Sequence, residues 1–123
     1  MATIIDKPSK ITSAGNKPKL IEEFIGRVNS STSDVSIAKM KSPRGWIEPG
    51  QNPEFDEYTI ILTGSLTVET KNDRIDLTAG QAIHIKKNEW VRYSTPKDDA
   101  EYIAVCLPAF SMETVNRDED EHN

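Results

Sequence analysis

The sequence predicts a single all-β domain, an antiparallel sandwich or jelly roll. Beyond Gly50 the chain falls into short β-rich runs at 57–62, 66–70, 74–77, 82–86, 90–93 and 101–107. The runs are separated by turn residues. Thr63-Gly64-Ser65 and Lys71-Asn72-Asp73 read as tight hairpin turns, Ala79-Gly80 as another, and 96–99 as a longer polar loop. Strands this short and this evenly spaced suit a closed or two-layered antiparallel sheet. The 123 residues are enough to bury a core without disulfide or metal staples, and neither a repeat nor a linker marks a second domain.

The first half is less regular. Residues 1–19 carry Pro8, Pro18 and Gly15 among Ser, Asn and Lys, which predicts an extended arm with a short strand at 3–5. In 20–29, Leu20, Phe24 and Val28 fit a helical stripe, while Phe24, Gly26 and Val28 fit a strand face. A strand is preferred, because 29–34 is a dense turn cluster and 35–40 reads as the returning strand. After Pro108, residues 109–115 predict a short helical turn with Ser111 as its cap. The domain boundaries expected are thus an arm at 1–19, a barrel at 20–115 and an acidic, disordered tail at 116–123.

Composition excludes several classes. With 36% apolar and 28% charged residues the chain is globular in type. Asp118, Glu119, Asp120 and Glu121 supply four charges of the net −5, so the body is almost neutral and has no basic stripe for a phosphate backbone. Nucleic acid is not an expected partner. No run approaches the roughly 20 apolar residues of a membrane span, and the amino terminus lacks a signal peptide's apolar core, so a cytoplasmic location without membrane contact is expected. Cys106 is the only cysteine and sits in an apolar run, where it reads as packing.

The stretch from Pro49-Gly50-Gln51-Asn52-Pro53 through Glu57-Tyr58-Thr59 to Gly64 resembles the first conserved motif of the cupins, which has a glycine, two histidines, a glutamate and a closing glycine. Glu57 and Gly64 keep the glutamate-to-glycine spacing. Gly80-Gln81-Ala82-Ile83-His84-Ile85-Lys86-Lys87-Asn88-Glu89-Trp90-Val91 is similar in rhythm to the second motif. The resemblance covers roughly 35–107 and is nearest to the ethanolamine-utilisation type. It implies a cupin barrel, a double-stranded β-helix or jelly roll. The family's motif histidines fall on Gln51, Pro53 and Val91, so three of four metal ligands are absent.

A first-row divalent metal wants several imidazole or carboxylate ligands at one point, and the chain has only His84 and His122. No cofactor is therefore expected, although a mixed metal site of Glu57 and His84, aided by Gln51 or Glu54, stays open. On the cupin resemblance Glu57 points into the barrel beside Thr59. There, burial would suit it to acid or base work, or a salt bridge or hydrogen-bond network with Arg92 or Tyr93 would make it structural. Tyr93 follows Val91 at strand spacing and brings a phenol to the same pocket. Gln51 replaces a ligand histidine with an amide, and Trp46 is a candidate stacking wall as well as a candidate core residue.

The preferred expectation is a barrel that binds a small polar molecule through Gln51, Thr59, His84 and Trp46, with proton transfer by Glu57 and Tyr93. A metal enzyme using Glu57 and His84, and a non-catalytic structural or sensory module, are the alternatives. Small cupins often pair by laying an amino-terminal strand on a neighbour's sheet, so the resemblance also implies a homodimer through the arm.

Overall fold

The computed structural model describes residues 1–118; residues 119–123 of the expected tail lie outside the described residues. The chain forms eight strands: β1 (Ser9–Ile11), β2 (Leu20–Ile25), β3 (Ser36–Ser42), β4 (Asp56–Thr70), β5 (Arg74–Thr78), β6 (Ala82–Ile85), β7 (Val91–Ser94) and β8 (Ala100–Leu107). All pairings are antiparallel, and together they build two facing sheets, the all-β jelly roll that the turn spacing predicts.

The first sheet runs β1-β2-β3-β8-β4-β6 and the second β5-β4-β7. β4 belongs to both. Its first half pairs with β6 and β8, and its second half with β5 and β7. Thr63-Gly64-Ser65 is therefore a bend inside one long strand, and the hairpin turn expected there does not form. The register against β8 shifts between Ile61 and Thr63, and Gly64 takes φ 76°, a conformation open mainly to glycine. Alternate residues Glu57, Thr59 and Ile61 are buried before the bend, and the whole run from Ser65 to Val68 is buried after it, with Leu66 and Val68 joining Ile61 in the main core. The turn at 71–73 closes as expected, with the Thr70 amide donating to the Asp73 carbonyl at 2.9 Å.

The amino-terminal strand lies at 9–11 and not at 3–5. It pairs with β2 of its own chain, Ser9 opposite Glu23 and Ile11 opposite Ile21. The alternative of a helix at 20–29 loses because β2 gains ladder bonds on both edges. Glu23, 3% exposed, then accepts the amides of Val28 (3.0 Å) and Asn29 (2.9 Å) and fixes the turn toward β3.

After β8 the chain makes one hydrogen-bonded turn and no helix. Ser111 accepts the Glu113 amide at 3.1 Å, a short capping bond. Residues 116–118 do not behave as a tail. The Asn116 side chain donates to the Asn52 carbonyl (3.0 Å) and Glu54 (2.9 Å), Arg117 bridges Gln51, and the Asp118 amide donates to the Gly50 carbonyl at 2.7 Å. Val115, 2% exposed, anchors this segment by packing with Phe55, Cys106 and Phe110. The main core is Trp46, Ile61, Leu66, Val68, Leu77, Ile85, Val91, Tyr93, Ala100 and Tyr102.

A side chain at position 64 would force a left-handed non-glycine backbone and would press its Cβ on the carbonyl oxygen of Asp99. Gly64→Ala should cost at least about 1–3 kcal/mol, read as a lowered urea midpoint; an unchanged midpoint would show that the bend tolerates any residue.

Candidate functional site

A cavity lies between the two core clusters. It offers about 60 Å³ to the centres of water-sized molecules, several times the roughly 10–15 Å³ that one water needs. Its walls mix polar groups, Lys19, Glu48, Gln51, Glu57, Tyr93 and Arg117, with apolar ones, Ile21, Ala38, Met40, Ala104 and Phe110; Met40 lies beside the Lys19 ammonium and Phe110 beside the Arg117 guanidinium.

β4 and β8 set the first wall. Glu57 stands opposite Cys106 and Thr59 opposite Ala104, so strand alternation sends all four side chains inward. β7 supplies Tyr93 from the facing sheet, and its hydroxyl donates to Glu57 Oε1 at 2.6 Å across the interior. Cys106 Sγ lies 3.8 Å from Glu57 Oε2. The segment between β3 and β4 runs along β7, with Ile47 bridged to Ser94 and Gln51 to Val91. Glu48 and Gln51 are thereby buried at the cavity wall. Lys19 enters just before β2; its ammonium lies 4.0 Å from the centre of the Trp46 ring and 3.2 Å from the Tyr102 hydroxyl.

Burial dominates the electrostatics. It raises the Glu57 carboxyl above its ordinary range, against the opposing pull of the Tyr93 hydrogen bond and the Lys19 charge. Glu48 is pushed up to about 7, again mainly by burial, with Lys19 and Arg117 lowering it and Glu57 raising it. Burial and then the Glu57 charge hold the Tyr93 phenol and the Cys106 thiol well above their usual values, so Cys106 is a packed thiol and not a nucleophile.

Of the residues singled out in the sequence, Gln51, Glu57, Thr59 and Tyr93 meet at the cavity. His84 does not. It pairs with Tyr58, one residue from Glu57, and therefore projects from the opposite face of the sheet. There it stacks on Tyr58 with ring centres 4.2 Å apart, its Nε2 3.9 Å from Asp56. Glu57 and His84 consequently cannot share a metal, and Glu54 is exposed and bound to Asn116. Among the described residues no three His, Cys, Asp or Glu side chains are placed to hold a metal ion. The family's metal thus has no fitting donor set, with Gln51 and Val91 in place of histidines.

Trp46 is a core residue, 1% exposed, its indole donating to the Ala14 carbonyl at 2.9 Å and its ring covered by Lys19. It does not wall the cavity. Arg92 pairs with Glu69 at 3.1 Å, leaving Tyr93 as the partner of Glu57. Sequence reasoning missed Lys19, Glu48 and Arg117. For Glu48 a signal existed: it follows Trp46 by two, so an extended segment puts both on one side.

No protein-family model matches the chain. Among solved structures, a putative ethanolamine utilization protein Q from Salmonella typhimurium superposes with a TM-score of 0.66 at 17% identity, covering 85% of this chain and 98% of that one. An RmlC-like cupin family protein with a double-stranded β-helix fold from Methanocaldococcus jannaschii gives 0.66 at 20% identity over 87% and 94%. The chain folds as a cupin. By sequence, this cupin is 43% identical over 96 residues to an endoribonuclease, YbeY, of Myxococcus xanthus, a match that takes in 77% of the chain and 33% of that protein. The cupin thus spans about a third of that relative's length, and the activity in its name belongs to a protein most of which lies outside the match. No helix among the described residues is long and apolar enough to cross a membrane.

The raised Glu48 carboxyl makes a testable statement. Between about pH 4.5 and 7 the folded protein holds a proton there that the unfolded chain has released. The stability so gained is complete below the unfolded value and lost as pH rises through about 7, an upper limit of about 3 kcal/mol. Urea unfolding across this range should show the fall in the natural protein, and Glu48→Gln should remove that share and leave only the part due to Glu57. Parallel curves for the two proteins would refute it.

Proposed function

We propose that this cupin binds a small polar molecule in its barrel and that Glu57 and Tyr93 are the groups able to exchange a proton with it, in chemistry of the isomerase or lyase kind. The observation that carries this reading is the 2.6 Å bond from the Tyr93 hydroxyl to a buried Glu57 carboxylate at the wall of a cavity. A carboxyl with a raised value can take a proton from a bound molecule near neutral pH. The phenol, held above its usual value, stays protonated, so it orients Glu57 Oε1 and leaves Oε2 toward Cys106 and the cavity. Gln51 and Thr59 add neutral hydrogen-bonding groups beside it. The wide range of activities carried on one fold leaves the site chemistry as the guide to substrate.

The test is a thermal-shift screen of small polar metabolites against the natural protein, followed by Glu57→Gln and Tyr93→Phe. At least one compound should raise the melting temperature, and Glu57→Gln should abolish any turnover of it while Tyr93→Phe lowers it. A screen with no stabilising compound would leave the barrel as a structural module.

We also propose that two copies pair through the outer edge of β1, since this strand uses only its β2 side in its own chain. Removing residues 1–15 should then give monomer or aggregate on a sizing column. A dimer that survives the deletion would refute the role of the arm.

A further inference from the structure

The charged groups at the cavity, Lys19, Arg117 and Glu48, feel one another's charge but, among the described residues, form no direct ion pair. Glu48 is 8% exposed, and its Oε2 makes no hydrogen bond; the Nε of Arg117, also buried, makes none either. The Arg117 NH1 rests on the Met112 sulfur at 3.3 Å. The Lys19 ammonium has the Tyr102 hydroxyl, the Met40 sulfur at 3.6 Å and the Trp46 ring for company. Among the described residues no carboxylate comes within 4.0 Å of either cation. All three side chains line the same cavity.

A sheltered cation lacking an anion and a buried acceptor lacking a donor each cost free energy that a ligand of matching chemistry would recover. Two cations ask for an anion, and a planar guanidinium suits a carboxylate. The orphaned Glu48 oxygen asks for a hydroxyl donor. The cavity wall also carries Ile21, Ala38 and Ala104, which suit a short hydrocarbon remainder.

We propose that the site takes a small hydroxy-carboxylate, with the carboxylate held by Lys19 and Arg117 and the hydroxyl donating to Glu48. This deepens, and rests on, the reading of the barrel as a small-molecule site. It gives Arg117 a binding role and explains why 116–118 is strapped to Gly50 and Asn52: the segment delivers the guanidinium to the cavity.

Titration calorimetry with sodium lactate, sodium propionate, propionamide and propylammonium chloride tests the assignment without any variant. Lactate should bind tightest and propionate more weakly, with the amide and the ammonium at least about tenfold weaker than lactate. Arg117→Gln and Lys19→Met, checked for unchanged urea midpoints, should each weaken lactate by about tenfold or more, the usual worth of a charge-assisted hydrogen bond. The amide or the ammonium binding as tightly as lactate would overturn the assignment, as would lactate binding unaltered by both substitutions. If none of the four binds while the metabolite screen finds another ligand, this inference falls and the broader reading stands; if nothing binds at all, both fall.

Discussion

The membership of β4 in both sheets is the constraint on which the barrel depends. A strand of fifteen residues cannot lie flat in one small sheet and also cover the other, so it must bend near its middle, and the register slip at 61–63 with Gly64 supplies the bend. Glu57 and Thr59, before the slip, face the cavity, while Leu66 and Val68, after it, join Ile61 in the main core. The same bend brings β7 opposite the first half of β4, where Tyr93 can reach Glu57.

The six β-rich runs after Gly50, which form five strands, were legible because each combines β-branched or aromatic residues with a turn at its end. The boundary between the two halves of β4 was not legible as a bend, because a glycine between two β-rich runs carries the same local signal for a bulge as for a turn. Only the competition for partners, β6 and β8 on one side and β5 and β7 on the other, decides between them. Glu57 and Tyr93 could be found from motif spacing and strand alternation. His84 entered the candidate site only as one of two histidines available to a metal, and its pairing with Tyr58, which turns it outward, rests on a register that residue type does not report. Lys19 and Arg117 belong to the site through long-range contacts alone. Nothing local in a proline-bearing arm or an acidic carboxyl-terminal stretch reports that it will close a cavity.

The interior shows how a cupin frame can keep its glutamate after the metal ligands have gone. In this barrel Glu57 receives a phenolic proton donor, and the cost of burying its charge is offset in part by that bond and by Lys19. Glu48 is pushed up to about 7, mainly by burial, and its Oε2 accepts no hydrogen bond. Two carboxyls a few residues apart in sequence therefore differ in what they can do: one is held in place and ready to accept, the other is free to form a new bond.

The position of β8 has a consequence for how the chain assembles. β8 inserts between β3 and β4, with Cys106 paired to Ser36 about seventy residues earlier. The hairpins of β4 with its nearer neighbours can form locally, but β3 and β4 are joined only when β8 arrives. Closure of the first sheet is thus a long-range event, of the kind that makes all-β chains slow to fold. During synthesis the inner faces of β3 and β4 would wait, uncovered, until this strand emerges from the ribosome. That interval is when chaperones or neighbouring chains would meet the exposed edges.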